Sequence, residues 1–278
     1  MKPTKARRVE PNNSFWEDVS ERVRVWDIVL LLTVPILLTM VYLLPMTIQQ
    51  SLVLEYGSPS LLNLWTAAYV HRGYAHFSNN LIAYLLFIVP TYLLFVLADE
   101  RQLFRWAFLS FLFVLPAVLA LINIVVIGQG TGAGFSGIGA AYMGLLPVSM
   151  FAFIRSRISS EIGPSNGVAL FLMALGITAS IYVDLFAAAG IVALSGLLLV
   201  FDIHRLGFYE VRRTVAKLRS MNGYFGLVLA AGLLFLYSPV VLFPQEIAQN
   251  GNFVNIVSHY MGLVLGFFGP TTLSIYWK

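Results

Sequence analysis

Apolar runs long enough to span a lipid core alternate along this chain with short polar breaks. A bilayer core about 30 Å thick takes roughly 20 apolar residues per helix. Read on that basis, the chain predicts eight membrane segments, near 25–48, 76–97, 103–127, 134–154, 167–183, 185–203, 224–243 and 253–274. The fifth and sixth are separated only by Asp184, so a tight hairpin of two spans and a re-entrant pair both fit there. The expected fold is all-α, a polytopic transmembrane bundle of about eight helices, with residues 25–278 as one membrane domain and 1–24 as a cytoplasmic tail.

The polar breaks carry a second pattern. Lys and Arg lie in the N-terminal tail, in Arg101 to Arg105, in Arg155 to Arg157, in the run from Arg205 to Arg219, and at the C-terminal Lys278, with Arg72 alone just before the second segment. The breaks at 49–62, 128–133, Asp184 and 244–252 have none. Basic loops stay on the cytoplasmic side. Arg72 apart, the two sets alternate over eight spans, which puts both termini in the cytoplasm of a multi-pass cell-membrane protein. No cleavable signal peptide is expected. The stretch Met1 to Val25 is polar and basic. If Asn13 or Ser14 caps a helix there, Phe15, Trp16, Val19 and Val23 share one face, as in an interfacial helix. A disordered tail fits that stretch equally well.

Composition agrees: 59% of the 278 residues are hydrophobic and 11% charged, against roughly a quarter charged in soluble domains, and mean hydropathy is +0.82. The absence of cysteine excludes disulfides, thiolate metal sites and thiol nucleophiles. A net charge of +4 without a basic, aromatic-interleaved stripe gives no nucleic-acid signature. No cofactor or metal site is expected. Gly128 to Ala133 reads as a flexible loop, since no strand precedes it and no lysine partners it.

Polar groups inside membrane helices are costly and are functional candidates by default. Ser136 sits in Gly134-Phe135-Ser136-Gly137 at the outer start of the fourth segment, where flanking glycines leave it uncrowded. At such a start the backbone N–H has no intrahelical partner and can donate to an oxyanion. Alone, the motif reads first as an ordinary small-residue helix contact, since Ser136, Ala140 and Gly144 recur at spacing four. His259 enters the last segment from the same outer side, on the order of 10 Å deep at 1.5 Å per residue. Gly262 and Gly266 after it form a small-xxx-small face. A neutral imidazole there can take the proton of a serine hydroxyl. His76 and Asn80 lie four apart on one helix face at the same level, and offer an imidazole N–H and an amide NH₂ to an oxyanion. A polar pair gluing two helices is the plain alternative. Asn79 points elsewhere, His71 reads as structural, and Asp202, His204 and Arg205 lie a membrane thickness away. Asp184 is a conceivable third triad member that nothing in the spacing demands.

Taken together, His71-x4-His76-x3-Asn80, Gly134-x-Ser136-Gly137 and His259-x2-Gly262-x3-Gly266, in that order, resemble the rhomboid family of intramembrane serine proteases. The resemblance covers roughly 61–154 and the last helix. It implies a rhomboid-like core, Ser136 as nucleophile, His259 as base, His76 and Asn80 as oxyanion donors, and Gly134, Gly137, Gly262 and Gly266 as site backbone and helix packing. It also implies membrane-anchored protein substrates, cut in or near a transmembrane segment. A rhomboid-like pseudoprotease, which binds such proteins without cutting them, is the alternative, and a transporter or channel is a more distant one. Three departures stand out. Three spans rather than one separate the serine and histidine helices. Ala140 stands where many members stack an aromatic on the histidine, leaving Tyr142 and Tyr260 as possible substitutes. The Trp-Arg signature of the first outer loop is missing.

Overall fold

The computed structural model describes residues 14–244, 248–249 and 252–276. In chain order the helices are α1 (Phe15–Arg22), α2 (Val25–Tyr42), α3 (Met46–Ser51), α4 (Asn63–Thr66), α5 (Tyr74–Leu97), α6 (Arg101–Phe113), α7 (Leu115–Val126), α8 (Ser136–Arg157), α9 (Gly167–Tyr182), α10 (Leu185–Leu206), α11 (Phe208–Ser220), α12 (Tyr224–Leu242) and α13 (Ile256–Tyr276). Two-residue strands β1 (Leu54–Glu55) and β2 (Thr131–Gly132) pair antiparallel, as do β3 (Ala248–Gln249) and β4 (Asn252–Phe253). Seven helices among the described residues are long and apolar enough to cross a membrane, and α6 with α7 makes an eighth span if that bent pair is counted as one.

The bundle is built around α8, whose span is 89% buried. Its run of small residues lets neighbouring backbones approach, and its larger ones fill the core. Tyr142 is wholly buried among Tyr84, Phe108, Phe111 and Phe135. By contrast, α2 and α10 are 17% and 11% buried and leave Leu32, Ile36, Leu197 and Phe201 exposed. Exposed apolar side chains on a helix of spanning length are what hydrocarbon tails cover.

The segment expected at 103–127 is not one helix. It breaks at Val114 and bends by 46° between α6 and α7. Pro116 is the cause: it has no N–H for the Leu112 carbonyl, and its ring clashes with that carbonyl. The freed acceptors are met from the segment before α5, where Tyr69 Oη donates to Leu112 O and Trp65 Nε1 donates to Phe113 O at 2.8 Å. Irregular backbone at membrane depth is tolerated where other protein groups satisfy it. The segment between α2 and α5 is therefore fastened to the bend.

At the basic end, Asp27 is fully buried and accepts from Tyr92 Oη at 2.9 Å, Arg101 Nε at 2.9 Å and Arg105 Nε at 2.8 Å. The N-terminal stretch is a docked helix there. Ser14 and Glu17 form a capping box. Phe15 stacks edge-on against Tyr224 at 5.0 Å, and Asp18 accepts from Tyr224 Oη at 2.8 Å. Phe15, Val19 and Val23 pack on the core, as their shared face suggests, while Trp16 is 72% exposed. Residues 1–13 of the expected tail lie outside the described residues. The α9–α10 pair is a hairpin of two long helices. Asp184 caps α10 by accepting from Phe186 N and Ala187 N, and Ser195 Oγ donates to Ala169 O across the hairpin at 2.7 Å. Asp184 is thus the N-cap of α10.

Candidate functional site

Ser136 is the first residue of α8, reached through a turn at Gly134 with φ +127°. That conformation favours glycine. Space demands it as well, because a Cβ at Gly134 would lie 2.6 Å from His76 Cε1. The His76 ring thus covers the turn that carries the serine. Ser136 N–H has no backbone acceptor among the described residues, as expected at a helix start.

The facing helix is α13. A Cβ on Gly262 would overlap the Gly137 carbonyl, one on Gly266 the Ala141 carbonyl, and one on Gly144 the Leu263 carbonyl. Ser258 packs at Gly137. Numbers rise together on both helices, so α8 and α13 run parallel in backbone-to-backbone contact. Ser136 and His259 each adjoin the first of these contacts, so the two residues stand at one level.

His259 is 6% exposed. Its Nδ1 lies 2.6 Å from the carbonyl oxygen of Leu242, the last residue of α12. A carbonyl only accepts, so Nδ1 carries the proton and Nε2 keeps a lone pair. The Phe243 ring meets the imidazole edge-on at 6.1 Å. Tyr142 and Tyr260 make no ring contact with His259 among the described residues. Tyr142 lies six residues after Ser136 and so on another face of α8, within the α5–α6 aromatic cluster, while Tyr260 is 38% exposed.

Ser136 Oγ and His259 make no hydrogen bond to one another among the described residues; the imidazole is engaged by Leu242. Asn80, 7% exposed, donates from Nδ2 to His76 O at 2.8 Å, one turn back on its own helix, which leaves one amide proton uncommitted by that bond.

His71 stands outside the spanning helices, buried at the start of α5. Its ring meets His76 edge-on at 5.0 Å, and its Nδ1 donates to Tyr69 O at 3.2 Å. Burial lowers its pKa to about 4, and a charge on His76 would push the same way against the Tyr69 hydrogen bond. His71 is therefore neutral at pH 7, and its Nε2 is buried without a partner among the described residues.

Beside Ser136 is a cavity of about 60 Å³, lined by Ser136, Gly137, Asn123, Ser258, Asn255 and Tyr56 among others; His76 and His259 do not line it. Asn123 Nδ2 donates to Ser258 Oγ at 2.7 Å, and Asn255 Nδ2 to Tyr56 Oη at 3.2 Å. Sequence reasoning passed over Asn123, although an amide inside an apolar span is itself a signal. The Leu242 carbonyl had no signal, because any residue supplies one. Among the described residues no group of three His, Asp or Glu could hold a metal.

No family model, no curated protein and no solved structure matches the chain.

Proposed function

We propose that this protein is a rhomboid-type intramembrane serine endopeptidase. The observation that carries the reading is the glycine-lined crossing of α8 and α13, which levels Ser136 with an imidazole that keeps a free Nε2 lone pair. In this mechanism Ser136 Oγ attacks a peptide carbonyl carbon as its proton passes to His259 Nε2. Charge develops on the carbonyl oxygen, where the Ser136 N–H, the His76 ring N–H and the free amide proton of Asn80 stabilise it. The intermediate collapses, the leaving amine takes the proton from Nε2, and water repeats the sequence on the acyl-serine. No cofactor enters. Substrates are membrane-anchored proteins cut in or near a transmembrane segment. The basic loops assign the α1 end to the cytoplasm and the Ser136 end to the outer half of the cell membrane.

The missing Ser136–His259 hydrogen bond favours a second reading, a rhomboid-like binder that does not cut. Catalytic hydrogen bonds are often long before substrate arrives and tighten in the complex, so the protease reading keeps the first place. A serine-directed fluorophosphonate probe separates the two. Labelling of the detergent-purified protein, lost in both Ser136→Ala and His259→Ala, supports the protease. An unlabelled wild-type protein supports the binder. In the labelled case, His76→Ala and Asn80→Ala each slow cleavage of a model transmembrane substrate about a hundredfold.

A further inference from the structure

Ala140 stands where many rhomboids stack an aromatic on the base, and the α9–α10 hairpin is an addition to that family's usual core. The structure joins these two departures. Tyr182 ends α9, and its hydroxyl donates to Pro244 O at 2.6 Å, just past the end of α12. The Tyr182 ring meets Phe243 edge-on at 6.2 Å, and the Phe243 ring meets His259 edge-on at 6.1 Å. Immediately before Phe243 is Leu242, the last residue of α12, whose carbonyl holds His259 Nδ1.

We propose that Tyr182, through the end of α12, is a positioning residue for His259, and that the inserted hairpin braces the base. This rests on the protease reading for its catalytic meaning, though the hydrogen-bonded brace does not. The chemistry is local. The C-terminal carbonyls of a helix have no intrahelical donor. At the end of α12, Leu242 O takes the imidazole proton and Pro244 O takes the phenol proton. Two side chains from α13 and α9 thereby fix one chain turn, and that turn fixes the tautomer that leaves Nε2 free to act as base. Phe243, 1% exposed, fills the space between the two rings. Ala140 is fully buried and faces Gly262 of α13. The ring contact on the imidazole comes instead from the α12 side.

The test is Tyr182→Phe, which keeps the ring and removes only the hydroxyl. Tyr237→Phe, at an exposed ring on α12, is the control. Two readouts are taken on the full chain in detergent micelles: ¹⁵N chemical shifts of histidine-labelled protein, which report the His259 tautomer, and kcat and KM on a model transmembrane substrate. The expected result is a shift of His259 away from the pure Nδ1–H tautomer in Tyr182→Phe, with kcat down roughly tenfold, KM unchanged, and the control like wild type. His259 shifts identical to wild type in Tyr182→Phe overturn the brace. Wild-type protein without turnover, but with the tautomer change in Tyr182→Phe, sinks the protease reading and leaves the brace standing.

Discussion

His71 shows what a single buried imidazole does to stability. Its pKa of about 4 lies below the ordinary 6.5 because burial disfavours the cation. Above pH 6.5 the ring is neutral whether the chain is folded or not, so it adds no pH dependence. Between pH 6.5 and 4 the unfolded chain binds the proton and the folded chain does not, so folding stability falls as pH falls. The depressed value corresponds to roughly 3 kcal/mol across that window at about 1.4 kcal/mol per unit. Replacing His71 with Phe removes this contribution. Thermal unfolding in detergent at pH 7 and pH 4.5 checks it: the acid-induced drop in melting temperature is smaller in the variant than in wild type. An equal drop in both proteins contradicts the assignment. At this same scale the residues Ser136, His259, His76 and Asn80 were legible as intramembrane polar groups with distinctive spacing. The partner of His259 was not, because Leu242 O is a backbone atom brought in by packing.

At the scale of elements, the α8–α13 contact was legible from small residues at spacing four. Gly262 and Gly266 sit where the pattern puts them, against the Gly137 and Ala141 carbonyls. A methyl group at Gly266 meets backbone that cannot yield without moving a helix. Gly266→Ala therefore destabilises by about 1–3 kcal/mol, the usual range for overpacking. Gly269→Ala, one turn further along with open space around it, leaves the melting temperature within experimental error. Thermal unfolding of the two variants side by side makes the comparison, and equal behaviour would refute the close crossing. The break between α6 and α7 was less legible. Pro116 was visible, but prolines occur in α2, α5, α8, α12 and α13 without ending them. The difference at Pro116 is that Tyr69 and Trp65 supply donors to the carbonyls it frees, and that pairing spans more than forty residues of sequence.

For the whole molecule, hydropathy and the alternation of basic loops outlined a bundle whose seven long apolar helices and one bent pair follow the expected segments in order. What they left open was the α9–α10 pair, since hydropathy alone does not separate a spanning hairpin from a re-entrant one. The cap at Asp184 and the Ser195–Ala169 hydrogen bond make it two full helices joined by a tight turn. The docking of α1 depends on Tyr224 and Asp18, 206 residues apart, and no local pattern carries that distance. The molecule that results has a buried post, α8, with Ser136 at one end and His259 held level with it by α12 and α13. The most direct measurement is a structure of the protein after reaction with a serine-directed phosphonate. The account predicts phosphorus bonded to Ser136 Oγ, His259 Nε2 within hydrogen-bond distance of the adduct, and Nδ1 still on Leu242. An adduct on another residue, or His259 turned away from the phosphonate, would contradict it.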